Sequence, residues 1–158
     1  MRRLMIIFVA VAVLAGCAED PVQDGAERWS PTPQLSAGPG WDGRMAVDFT
    51  TDDVSAPGFN DFVESNRPEW AKSAATAGAQ LLDLDRGFDG PVEVYLLDDG
   101  EVVTFTLTRL GDDSISAQRY RLVFDRGDDG LHRFVSGKAS QKCQSGRGHQ
   151  SFSGDTCQ

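Results

Sequence analysis

Alternating apolar and polar residues predict a short strand near the start of the folded region and four strands in its second half. The period of two runs through residues 44–50, 92–96, 103–108 and 114–125, and a less regular pattern covers residues 131–137. Successive side chains of a strand point to opposite faces, so each segment presents one apolar face. Hairpin signals such as the Asp-Gly pair at 99–100 separate the later segments.

Between the first two strands, apolar residues recur at the spacing of a helix. Phe59, Phe62 and Val63 stand at positions i, i+3 and i+4, and Pro68 either starts a second helix or kinks a longer one. The apolar stripe then continues at spacings of three or four residues through Trp70, Ala74, Ala77, Leu81 and Leu84. Small alanines on this face favour close packing of the helix on a sheet.

The predicted order of elements is β-α-β-β-β-β. Hairpin connections make the sheet antiparallel, and its apolar face needs the amphipathic helix as a cover. We therefore expect an α+β domain with a four- to five-stranded antiparallel sheet covered on one face by one or two helices. This layout resembles that of cystatin-like and NTF2-like domains, a likeness of fold that implies no function.

The beginning of the chain has the features of an export signal. Two arginines follow the first methionine, and an unbroken apolar run covers residues 4–15. A membrane-spanning helix needs about 20 apolar residues. The run is shorter than that and is typical of a signal peptide that is removed after export.

The four residues that end this segment, Leu14-Ala15-Gly16-Cys17, resemble the lipobox of bacterial lipoproteins. The resemblance implies a diacylglyceryl group on the Cys17 thiol, removal of residues 1–16, and a protein held at the extracytoplasmic face of the cell membrane. Two or three acyl chains satisfy the requirement for stable anchoring. The alternative is an ordinary signal peptide that is cut elsewhere, for example after Ala18.

The next segment, residues 17–40, is predicted to be the lipidated cysteine followed by a flexible tether. Residues 18–40 contain four prolines and three glycines and show no apolar period. Such a composition cannot bury enough apolar surface to offset the loss of chain entropy. Trp29 is the exception, interpreted as a solvated tether residue, with docking on the domain or a place at the lipid interface as the alternatives. Residues 41–158 are expected to form a single domain.

Once Cys17 is assigned to lipid, Cys143 and Cys157 remain. An even pair in an exported chain predicts a disulfide bond that closes the C-terminal tail. The alternatives are two free thiols or a metal site completed by His149, although zinc usually takes four ligands at closer spacing. The segment 143–157 also resembles the C-termini of uncharacterised actinobacterial lipoproteins, which implies no catalytic role.

The sheet face opposite the predicted helix is the main candidate for binding. The chain carries 15 Lys and Arg residues against 24 Asp and Glu residues, for a formal charge of -9. This balance does not suit a nucleic-acid binder. A local group of arginines and hydroxyls nevertheless suits an anionic ligand, because guanidinium groups form paired bonds to carboxylate and phosphate. A solvated sheet face is the alternative. The candidate binding residues are Thr104, Thr106, Arg119, Arg121, Arg133, Arg147 and His149. For the two in the tail, Arg147 and His149, hydrogen bonds to backbone carbonyls that pin the tail are expected first, with ligand contact as the alternative.

Three functions follow from these observations. The first is a lipid-anchored, non-catalytic binding or scaffolding module that engages the membrane through Cys17 and an unknown envelope partner. The second is a small-ligand-binding domain with a cone-like pocket lined by Trp70, Phe105 and Tyr120. The third is an enzyme, which no GxSxG, HExxH or CxxC motif supports. No cofactor and no metal are expected.

Overall fold

The structure, a computed structural model, describes residues 22–31, 38–86, 88 and 90–158. The predicted signal peptide and Cys17 lie outside these residues.

A seven-stranded antiparallel sheet in the order β1-β4-β5-β6-β7-β3-β2 forms the framework of the described residues. Four long strands connected in sequence make up its centre. The strands are β1 (Glu27–Arg28), β2 (Ala46–Asp48), β3 (Asp53–Ser55), β4 (Glu93–Asp99), β5 (Val102–Thr108), β6 (Ile115–Arg126) and β7 (His132–Cys143). The predicted α+β class and antiparallel sheet are therefore confirmed.

The prediction of four to five strands was wrong, because β1 and β3 were missed. These strands have two and three residues, and β3 buries only Val54. A segment this short cannot display a period of two, so its sequence does not mark it as a strand. It becomes a strand because its backbone pairs with that of a neighbouring strand. The strand predicted over residues 44–50 is also shorter, as β2 covers only Ala46–Asp48.

Two helices, α1 (Phe59–Asn66) and α2 (Ala74–Leu81), lie on one face of the sheet. The apolar stripe predicted as one helix is interrupted at Ser73, which has extended backbone angles. A 3₁₀ turn, Glu69–Lys72, precedes this break and carries Trp70. A second turn, Leu84–Arg86, follows α2. No helix in the described part of the chain is long and apolar enough to cross a membrane.

The core lies between these helices and the apolar sheet face. Phe105 and Leu122 of the sheet are fully buried, as are Phe59 and Trp70 on the helical side. Gly78 lies where α2 meets the sheet, and a Cβ atom built at this position would lie 2.8 Å from Cε2 of Phe105. The absence of a side chain at Gly78 therefore sets how closely the helix approaches the strands.

An aromatic cluster joins the segment before β2 to this core. The rings of Trp41 and Phe59 are 5.1 Å apart, and those of Phe59 and Trp70 are 5.7 Å apart. The backbone N–H of Trp41 donates to Oε1 of Gln80, and the indole N–H of Trp70 donates to the carbonyl of Pro39. These contacts fix residues 39–41 to the domain.

Part of the predicted tether belongs to the sheet. β1 pairs with β4, and the backbone N–H of Trp29 donates to the carbonyl of Val94 at 2.8 Å. The Trp29 ring meets Phe105 edge-on at 6.2 Å and is half-buried. The interpretation of Trp29 as a solvated tether residue was therefore wrong, because the open edge of β4 offers both backbone partners and an apolar contact.

Candidate functional site

The sheet face away from the helices brings together most of the predicted binding residues. In the register of the central strands, Thr104 lies beside Arg121, and Thr106 lies beside Arg119. β7 continues the two rows with Lys138 opposite Arg121 and with Ser140 opposite Arg119. Residues that pair directly across an antiparallel ladder point to the same face. The predicted sharing of one face by these threonines and arginines is thus observed.

The threonines do not form the accessible hydroxyl surface that was expected. Thr106 is 2% exposed, and Thr104 is 7% exposed. Both are short side chains on the central strand β5, with the longer side chains of Tyr95 and Leu97 beside them on β4 and the arginines beside them on β6. Their neighbours therefore remove them from solvent, and the accessible groups of this face are the cations.

Contacts with β5 and with the tail hold Arg119 in place. Its Nε–H donates to Oγ1 of Thr106 at 3.3 Å, and its guanidinium carbon lies 3.6 Å from the ring centroid of Phe152. Such a cation–π contact is favourable by about 0.5–1 kcal/mol at an exposed site. The tail residue Phe152 thus positions one cation of the face.

Arg121 differs because its side chain is exposed and makes no ion pair with any residue that the structure describes. It lies directly opposite Lys138 on β7. Lys138 itself bonds to the Asp53 carboxylate at 2.9 Å and to the carbonyl of Thr51 at 2.7 Å.

Arg133 pairs with Asp125 of β6 in the register, but it adds no unpaired cation to this face. Its Nε–H donates to Glu64 of α1 at 2.6 Å, and its Nη2 lies 2.9 Å from the carboxylate of Asp129. The hydrogen bonds from Arg133 and from the backbone N–H of Leu131 hold the pKa of Asp129 well below its usual range. Arg67 pairs with the same carboxylate at 3.1 Å. Arg133 therefore links β7 to α1, and its guanidinium is engaged in ion pairs rather than presented on the open face.

The C-terminal tail is closed by the predicted disulfide bond between Cys143 and Cys157, whose Cα atoms are 5.4 Å apart. The two cysteines and His149 place their ligand-type atoms within 4.8 Å of one another. Because the sulfurs are bonded to each other, this arrangement has no thiolates to offer a metal.

His149 organises the tail through both of its ring nitrogens. Nδ1 lies 2.8 Å from the carbonyl oxygen of Ser151, and Nε2 lies 2.9 Å from that of Asp155. Both nitrogens meet hydrogen-bond acceptors, so the imidazolium form fits best. The carbonyl of Asp155, followed by that of Ser151, raises the pKa of His149. Arg147 is exposed and pairs with Asp113 at 3.7 Å, so it lies apart from the sheet face.

The three residues predicted to line a cone-like pocket do not share a cavity. Trp70 and Phe105 are fully buried in the core. Tyr120 lines a shallow groove of about 60 Å³ beyond the helices, together with Val47 and Phe49. Phe49 is 70% exposed.

Residues 38–43, Gly-Pro-Gly-Trp-Asp-Gly, have the spacing of a GxGxxG motif. The segment is coil that leads into β2 and does not join a strand to a helix. It therefore lacks the geometry with which that motif binds a dinucleotide.

Sequence reasoning missed three residues beside the candidate arginines, namely Lys138, Lys142 and Phe152. The predicted last strand stopped at Gly137, whereas β7 continues to Cys143. Alternation of lysine, serine and lysine at 138, 140 and 142 was the signal that could have extended the strand. No protein-family model, curated protein or solved structure matches this chain.

Proposed function

We propose that this protein is a lipid-anchored module of the cell envelope, displayed on the extracytoplasmic face of the membrane, which binds a partner without catalysing a reaction. The observation that carries the proposal is the lipobox-like sequence Leu14-Ala15-Gly16-Cys17 directly after an apolar run of signal-peptide length. Each buried methylene of an attached acyl chain contributes about 0.8 kcal/mol, so two or three chains give a stable anchor.

The disulfide bond supports the proposed location. Disulfides persist in oxidising compartments outside the cytosol and are rare inside it. Cys143 is buried and bonded to Cys157 in a tail with little regular structure. The bond limits the conformations of a segment that would otherwise fray.

A binding role is supported by the chemistry of the candidate residues. Both ring nitrogens of His149 face backbone carbonyls of the tail, so this histidine is engaged in structure rather than placed as a general base. Arg119 and Arg121 present cationic groups on an open sheet face in an otherwise acidic chain. A flat surface of this kind suits electrostatic recognition of an anionic partner.

Metabolic labelling with a palmitate analogue tests the anchor. The wild-type protein should incorporate label and remain with the membrane fraction, whereas Cys17→Ser should do neither. Cys143→Ser with Cys157→Ser is the matched control, because it removes the other two cysteine sulfurs and leaves the proposed lipid site intact. Label that persists in Cys17→Ser, or wild-type protein released unlabelled into the medium, would rule out the anchor. Titratable thiols at Cys143 and Cys157 in native material would contradict the oxidising location.

A further inference from the structure

Four cations form a stripe on the sheet face away from the helices. The stripe consists of Arg119 and Arg121 on β6 and of Lys138 and Lys142 on β7. The register places all four on one face, with Ser140 between the lysines. Residues two apart on a strand are roughly 7 Å apart, so the stripe is about 14 Å long and two strands wide.

The stripe includes a like-charge pair at its centre. Arg121 lies directly opposite Lys138, and like charges in this position destabilise a sheet. Lys138 pairs with Asp53 at the surface, whereas Arg121 is exposed and has no ion-pair partner among the described residues. A concentration of cations of this kind in a chain of formal charge -9 suits a partner of opposite charge.

Acidic residues lie on both sides of the stripe. On the same face, the register places Glu93 and Asp99 on β4 and Asp53 on β3. Asp125 also lies on this face of β6, four residues beyond Arg121. A partner that keeps to the stripe itself meets the four cations and Ser140. A broad anionic surface would also meet the acidic margins and be repelled by them.

We propose that the stripe binds a linear phosphate-bearing polymer without nucleobases, laid along β6 and β7. Guanidinium groups pair with phosphate through two parallel hydrogen bonds, and lysine acts as a compact point charge. The four cations are spread over the stripe rather than directed at one point, so a chain of anionic groups engages them better than a single ion does. This inference rests on the proposed function, since it names the chemistry of the partner at the same face.

The face distinguishes this polymer from other anionic partners. An acidic peptide is recognised by strand addition at a sheet edge, in a groove or by an arginine cluster. The flat face offers only the last of these, so polyglutamate is the competing partner that the test includes. Single-stranded nucleic acid is bound with the help of aromatic side chains on which bases stack. Here the Phe152 ring is already covered by Arg119. This surface therefore recognises the charges along the backbone of the polymer and has no groups placed to bind bases.

The salt dependence of binding provides the test, with the full chain isolated from cells in a non-ionic detergent and a glycerol-phosphate oligomer as the probe. Four contacts predict a slope of about −2.8 in log affinity against log salt, which is an approximately 50-fold loss of affinity between about 50 and about 200 mM salt. The variant Arg121→Gln with Lys142→Gln loses two contacts. Its slope should fall to about −1.4, which is an approximately sevenfold loss over the same range.

The matched control is Arg44→Gln with Arg126→Gln, which removes the same charge from exposed residues outside the stripe. It should keep the wild-type slope, and both variants should remain folded, which thermal unfolding checks. Equal slopes for the stripe variant and the control would overturn the proposal. So would binding of equal strength to phosphatidylglycerol vesicles, to inorganic phosphate, to polyglutamate or to single-stranded DNA. Mass spectrometry of Cys17 in the same preparation reports the anchor separately, so a failed anchor and a failed stripe give different results.

Discussion

Replacement of Gly78 by alanine tests the close contact between α2 and the sheet. Alanine is favoured over glycine inside a helix by about 1 kcal/mol, so a loosely packed helix would be stabilised. Here the new Cβ atom would lie 2.8 Å from Cε2 of Phe105 and 3.2 Å from Cγ2 of Val103. Both side chains are fully buried and have no solvent to move into. Overpacking of this kind costs about 1–3 kcal/mol, so Gly78→Ala should lower the free energy of unfolding by about 1 kcal/mol.

Urea unfolding followed by tryptophan fluorescence measures this change, since Trp70 is fully buried. The same substitution in a Phe105→Leu background is the second half of a double-mutant cycle. Leucine has no ring edge to meet the new methyl group, so Gly78→Ala should then be neutral or stabilising. If Gly78→Ala raised the stability of the otherwise wild-type protein by about 1 kcal/mol, the described helix–sheet contact would be refuted.

Three further predictions concern the tail and the ion pairs. Replacing both Cys143 and Cys157 by serine should lower the free energy of unfolding by about 3 kcal/mol, because the bond joins residues 14 positions apart. Denaturant unfolding of the wild-type protein with a reductant present should show the same loss. An unfolding midpoint that the reductant leaves unchanged would contradict this prediction. The pKa of His149 is raised by tail carbonyls, so the protonated side chain stabilises the folded tail. This stabilisation is complete below the unfolded-state pKa of about 6.5 and is lost as pH rises through the raised folded-state pKa. Protection of the tail amides, that is, exchange relative to its intrinsic base-catalysed rate, should therefore fall over that interval in the wild type and stay constant in His149→Gln. The pKa of Asp129 is lowered chiefly by Arg133, so the ionised carboxylate stabilises the folded state. This stabilisation is fully present above the unfolded-state pKa of about 3.9 and declines as pH falls towards the lowered folded-state pKa. Asp129→Asn should lower the melting temperature at pH 7, with a difference from wild type that narrows towards pH 2; a constant difference would show that ionisation is not the cause.

The long strands were predictable because each buries one face over many residues. The pattern over 103–108 corresponds to β5, Val102–Thr108, and the pattern over 114–125 corresponds to β6, Ile115–Arg126. The two-residue strand β1 was not predictable in this way. Strand β1 forms because the open edge of β4 offers backbone partners. This contact joins residues far apart in the sequence, so the residues of β1 show no apolar period of their own.

The face of each candidate residue was predictable, but its accessibility was not. Alternation places Thr106 and Arg119 on the same side, yet it does not report that the longer neighbours cover the threonine. Arg133 pairs with Asp125 in the register and so has the face of Arg121, but alternation does not report that its guanidinium bonds to Glu64 of α1 and to Asp129. The irregular pattern over residues 131–137 corresponds to the register shift between Val123 and Phe124.

The pairing of β1 with β4 also changes the geometry of the proposed anchor. Residues 18–26 separate Cys17 from β1, and ten steps of extended chain reach at most about 36 Å. With lipid on Cys17, this distance limits how far the β1 edge stands from the bilayer. The stripe on β6 begins three strands beyond β1, roughly 14 Å further across the sheet. Attachment at one edge therefore leaves β6 and β7 free to meet a polymer beyond the membrane surface, which is the arrangement that the proposed partner requires.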